Sequence, residues 1–125
     1  MNELAKLSEA TFSATVVHDG KDIVIRFTGN ADVQAQKHLD HLFGDVHEHA
    51  RRLGVSRVQV DLRELVFMNS SCIKDVIVWL EKVRKTEGDN RYLVAFLSSR
   101  AQPWQRRSLH ALSHFARGIV SVEVC

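Results

Sequence analysis

The chain has 125 residues, 45% of them apolar and 26% charged, with a formal net charge of +2. That composition fits one soluble globular domain with a single core and excludes a disordered or low-complexity chain. No apolar run approaches membrane-spanning length, MNELAKLSEATF lacks a signal-peptide core, and Cys72 and Cys125 show no metal-ligand spacing, so the chain reads as a cytoplasmic protein with reduced thiols.

The first ten residues read as a flexible lead-in. ATFSATVV and KDIVIRFTG are β-rich runs joined through Asp19-Gly20, a hairpin signal. From Asp32 to Leu53 the pattern turns helical, with Leu39, Leu42, Phe43, Val46, Ala50 and Leu53 on one face and Gly54 as the stop. SRVQVDLREL alternates as a strand. A second helix runs from Ser71 to about Lys85 and closes near Gly88. RYLVAFL is a continuous apolar run, as in a strand buried on both faces. A third helix starts at Ser99 or Gln102, tolerates Pro103 in its first turn, presents Leu109, Leu112, Phe115 and Ala116, and stops at Gly118. IVSVEV is the last strand.

The expected fold is α/β: one domain over residues 1–125, order β-β-α-β-α-β-α-β, with a mixed, mostly parallel sheet flanked by helices. Sites in such folds gather where strands end and helices begin. LVFMNSSCIKDVIVWL holds such a junction, with Asn69, Ser70 and Ser71 in a row between two apolar patterns.

One polar residue there would suffice as a helix cap. Three in a row raise a second reading, a phosphorylatable switch. The exposed amides and dipole of a helix start favour a phosphate, which adds roughly two negative charges. A catalytic serine lacks both a G-x-S-x-G elbow and an identifiable base, and no Gly-rich phosphate loop is present. The reading is a protein without enzymatic activity and without a cofactor.

VQVDLRELVFMNSSCIKDVIVWLEKVRK resembles the central segment of STAS domains, especially bacterial anti-sigma-factor antagonists. Asp61-Leu62 matches the strand end of that pattern, and Met68 to Ile73 matches its Asp-Ser-Ser-Gly-Leu junction. Phe27-Thr28-Gly29-Asn30-Ala31-Asp32 is similar to the Leu-x-Gly-x-Leu-Asp that precedes the first helix. With the order of elements, the resemblance spans about residues 12–124.

The resemblance implies a partner switch in signal transduction and transcription regulation. Such an antagonist binds a serine kinase that is also an anti-sigma factor, is phosphorylated by it, and is reset by a PP2C-type phosphatase. By position, Ser70 is the phosphoacceptor and Ser71 part of the contact surface. Two positions depart from the pattern. Asn69 replaces an acid, so it caps without charge. Cys72 replaces a glycine and fills space a partner would approach. The alternative within the family is a constitutive subunit docked on the ATPase of a lipid-transport ABC system.

On the second helix Ile73, Ile77 and Leu80 read as the core face. Cys72, Val76, Trp79 and Val83 form a stripe beside it. Its plain reading is packing against a neighbouring helix. The sharper reading is partner binding next to Ser70, with Trp79 as anchor, and the stripe would serve a homodimer equally well. His38, His41, Asp45 and His49 lie along one side of the first helix, and His110 and His114 recur in the third. Without H-E-x-x-H these read as solvated, with no metal.

Charge is uneven. Arg91, Arg100, Arg106, Arg107 and Arg117 fall in a stretch from Asn90 to Val122 that has no acid. This is a solvated basic face or a surface for an acidic partner. No nucleic-acid motif accompanies it, so neither nucleic acid nor membrane insertion is expected.

Overall fold

The computed structural model describes residues 2–86 and 91–125. The expected helix end near Gly88 lies outside them. The elements in order are β1 (Asn2–Ser8), β2 (Phe12–Asp19), β3 (Asp22–Ala31), α1 (Val33–Leu53), β4 (Arg57–Met68), α2 (Ser70–Lys85), β5 (Leu93–Ser98), α3 (Pro103–Phe115) and β6 (Val120–Val124). One strand more is present than the sequence suggested. The lead-in is edge strand β1, antiparallel to β2, and its half-exposed NELAKLS carries no clear alternation.

The six strands lie in sequence order across one sheet. β1, β2 and β3 are antiparallel neighbours, and β3 to β6 run parallel. Asp19 pairs with Asp22, leaving a two-residue turn whose first member, Gly20, has φ 63°. A glycine there matches the twist of a hairpin.

Phe12, Ala14, Val16, Ile23, Ile25, Phe27, Val58, Val60, Val94 and Phe96 alternate onto one buried face. All three helices pack there: Phe43 of α1, Val76 of α2 and Leu109 of α3 meet Phe27, Val60 and Phe96 around one interior gap. The other face of the sheet is half-buried at Thr15, Val24, Gln59, Ala95 and Leu97. β5 is therefore not buried on both faces as its apolar run suggested, and Leu93 is 53% exposed.

β4 outruns β5. It pairs with β5 only through Asp61, but with β3 as far as Met68. Two register shifts place extra β4 residues opposite β3, between Asp61 and Glu64 and between Leu65 and Phe67. These bulges break the alternation that would have shown the whole strand in the sequence. The edge that β5 leaves is covered by α3. The fully buried Gln105 donates to the Leu62 and Leu65 carbonyls, at 2.5 and 3.0 Å, and accepts the Ser99 amide at 2.9 Å. Trp104 adds a 3.2 Å bond to the Leu65 carbonyl.

α1 follows its sequence pattern closely, capped by Asp32 and ended by Gly54 at φ 65°. Leu39, Leu42, Phe43, Val46 and Ala50 are buried, but Leu53 is 39% exposed. α3 buries Leu109 and Leu112 while Phe115 turns outward, 43% exposed.

Candidate functional site at the β4–α2 junction

Parallel neighbours β3 and β4 end side by side, and each feeds a helix. Asn30 lies opposite Phe67 and Ala31 opposite Met68. The Asn69 amide then donates to the Ala31 carbonyl at 2.9 Å, tying the two exits together. β3 can make this exit only with glycine at position 29. Its φ is +89°, and a Cβ there would collide with the Thr11 carbonyl oxygen. That carbonyl accepts the Asn30 amide at 2.8 Å.

Asn69 caps α2. Its side-chain oxygen accepts the Cys72 amide at 2.8 Å and its carbonyl accepts the Ile73 amide at 3.1 Å. Ser70 and Ser71 open the helix with both side chains exposed. Cys72 points inward and is fully buried, with Sγ 3.6 Å from the Ala31 and Asp32 carbonyls. Burial pushes its thiol up to about 11, helped by the Asp75 carboxylate. The expectation that Cys72 obstructs an approaching partner is therefore corrected: its sulfur occupies the interior beneath the junction, not the surface above it.

The stripe on α2 also needs correction. Cys72, Val76, Trp79 and Val83 are at most 3% exposed and form the core face, together with Leu80. The rings of Trp79 and Phe43 stack at 4.8 Å, and the indole N–H donates to the buried Tyr92 hydroxyl at 3.0 Å. Ile73 and Ile77 are only half-buried, on the rim of that face. The helix is turned toward α1 because Trp79 fills the space between Phe43 and Tyr92. Val76, Trp79 and Val83 are therefore not a surface for a partner; the helix-packing reading is the one observed.

The sequence reading missed the apolar side chains that are exposed. Val33 opens α1, Phe67 is the last residue but one of β4, and Val78 lies on the outer side of α2, at 64%, 46% and 47% exposure. Ser71, Lys74 and Val78 follow one another at i, i+3 and i+7 along that outer side, all exposed. Val78 interrupts an otherwise polar face, which was a usable signal.

Charges beside the serines are asymmetric. Lys74 is within one turn of both serines, and Asp75 is one turn after Ser71 alone. Burial and the nearby Asp40 carboxylate raise the Asp75 carboxyl, against a hydrogen bond from Gln36. Asp75 Oδ2 is buried without a hydrogen-bond partner among the described residues. Further back on β4, Asp61 is 4% exposed and held by Arg63 and Arg26, at 2.8 and 3.3 Å. The Arg63 hydrogen bonds keep its carboxyl below the usual range despite burial.

The histidines have separate partners. His38 lies 2.8 Å from Glu9, His41 3.3 Å from Asp45, and His49 accepts from Arg52 at 2.6 Å. Among the described residues no three potential metal ligands converge, and no helix is long and apolar enough to cross a membrane.

No protein-family profile matches the chain, and no curated protein sequence matches it. Solved structures do. A crystal structure of an anti-sigma factor antagonist from Mycobacterium paratuberculosis superposes with a TM-score of 0.62 at 16% identity, covering 86% of each chain. The phosphorylated form of SpoIIAA, a Bacillus cell fate determinant, superposes with a TM-score of 0.59 at 15% identity, covering 88% of this chain and 90% of its own. This chain has six strands in sequence order with three helices on one face, and the fold it shares with these proteins is that of a STAS domain.

Proposed function

We propose that the protein is a phosphorylation-gated binding module, an anti-sigma-factor antagonist in a partner-switching pathway, with Ser70 as the phosphoacceptor. Its partners are then a serine kinase that doubles as anti-sigma factor and a PP2C-type phosphatase. The observation that carries this reading is the division of labour at α2: Asn69 caps the helix, so both serine hydroxyls stay exposed. The structural likeness to a phosphorylated protein, SpoIIAA, agrees with it.

Charge supports Ser70 over Ser71. A phosphate on either serine has Lys74 within one turn, whereas only one on Ser71 also has the Asp75 carboxyl one turn away. The docking surface in this reading is Ser70 and Ser71 with the exposed Val33, Phe67 and Val78. A dianion at its centre opposes docking through desolvation and repulsion.

The test is peptide mass spectrometry on protein from its native cells, comparing wild type, Ser70→Ala and Ser71→Ala with and without phosphatase. A phosphatase-sensitive phosphate at residue 70, lost in Ser70→Ala only, is expected. Unmodified serines under every growth and stress condition would reject the switch. Stable co-purification with a transport ATPase would then favour the constitutive subunit.

A further inference from the structure

The two edges of the sheet are not alike. β1 is protected by Lys6 and by a register shift between Glu3 and Ala5. β6, VSVEV, has neither lysine nor proline, and its register to β5 is regular. No described strand pairs with its outer edge. The Ile119 carbonyl accepts the Val94 amide, and the Cys125 amide donates to the Ser98 carbonyl. Backbone groups alternate sides along a strand, so Ser121 and Glu123 also face β5 and the amides and carbonyls of Val122 and Val124 face outward. An unpaired row of this kind is a template for another strand.

The valine side chains point the other useful way. Val122 lies opposite Phe96 and Val124 opposite Ser98, on the helix-bearing face. α3 does not cover them, and they are 37% and 54% exposed. Between them and α3 runs a groove of about 760 Å³, with Leu109 at its base and Arg100, Arg106 and His110 along its side. No acidic side chain lines it. Glu123 pairs with Leu97 and so points to the opposite face of the sheet.

We infer that this edge and groove form a docking site for an extended acidic segment of a protein partner, which adds a strand to β6. The added backbone takes up the outward amides and carbonyls of Val122 and Val124. Side chains on its helix-facing side enter the groove: an apolar one covers Val122 and Leu109, and an acidic one reaches Arg100 and Arg106. Charge selects this occupant, because a groove lined by arginines and by no acidic side chain repels a basic strand and attracts an acidic one. The site does not include Ser70 and does not depend on its modification.

The probe is a labelled peptide of about twelve residues repeating Val-Val-Glu-Glu, which places both residue types on each face of a strand. It should bind the full chain and slow hydrogen exchange of the Val122 and Val124 amides. Binding should weaken about tenfold or more in Arg100→Glu/Arg106→Glu, whose side chains are exposed, and in Val122→Pro, since edge strands tolerate proline. A Val-Val-Lys-Lys peptide should not bind. Equal binding of the lysine peptide, unchanged affinity in the charge-reversed variant, or no slowing of those amides would overturn the proposal. So would sedimentation showing a dimer that Val122→Pro dissolves, with no peptide binding, because the occupant would then be a second copy of the chain.

Discussion

The side-chain oxygen of Asn69 lies 2.8 Å from the amide of Cys72, so the start of α2 is capped from outside the helix and neither serine hydroxyl is needed for it. Asn69→Ala should cost about 1 kcal/mol, and Asn69→Asp should not, because a carboxylate also caps and favours the positive end of the dipole. In thermal unfolding the alanine variant should melt about 3–4 °C lower than wild type. An unchanged midpoint would mean that a serine takes over the cap.

The two thiols should behave differently. Cys72 is buried with its thiol raised to about 11, whereas Cys125 is exposed. Only thiolate reacts with a disulfide reagent. Near neutral pH, Cys125 should label quickly and Cys72 only after denaturant is added. Rapid labelling of Cys72 in the native protein would show that the region beneath the junction opens readily.

Trp79 should act as a core residue. Trp79→Ala removes the stack on Phe43 and should cost about 3–5 kcal/mol in denaturant unfolding. Tyr92→Phe leaves the Trp79 indole N–H without its acceptor and His47 Nδ1 without its 2.7 Å contact, and should cost about 1–3 kcal/mol. Because Trp79 and Tyr92 touch, the double variant should lose less than the sum of the two. A stable, folded Trp79→Ala protein would contradict this packing.

Asp61 should give the fold part of its acid sensitivity. Its folded carboxyl sits below the unfolded value, held there first by the Arg63 hydrogen bond. The unfolded chain therefore takes up the proton first as pH falls. The stabilisation is complete above the unfolded value of about 3.9 and fades as pH drops through the lower folded one. Asp61→Asn should cost about 1–3 kcal/mol at neutral pH and flatten the decline below about pH 4. Equal pH slopes for the two proteins would assign the acid sensitivity to other carboxylates.

Much of the scaffold was legible locally. Asp19-Gly20 marks the hairpin, and Asp32 with Gly54 brackets α1 to the residue. The caps and the 3.6-residue period depend on neighbours in sequence, so the sequence states them directly. The polar junction at Asn69, Ser70 and Ser71 is likewise a local feature, a strand end meeting a helix start.

What the sequence left open depended on contacts between distant segments. Edge strand β1 is visible only through its pairing with β2. The last residues of β4 became strand because β3 continued beside them past two bulges, and Gln105, polar by type, was buried because two β4 carbonyls needed a donor. On α2 two apolar stripes lie side by side, and amphipathic periodicity cannot choose between adjacent stripes of equal character. Phe43 and Tyr92 made the choice by leaving a space that only Trp79 fills, which turned Val78 outward beside the serines. The sequence by itself determined the three helices, the β2–β3 hairpin and the polar junction, since these are local. Only the tertiary structure decided which face of α2 the junction presents, because that depends on side chains brought together from separate elements.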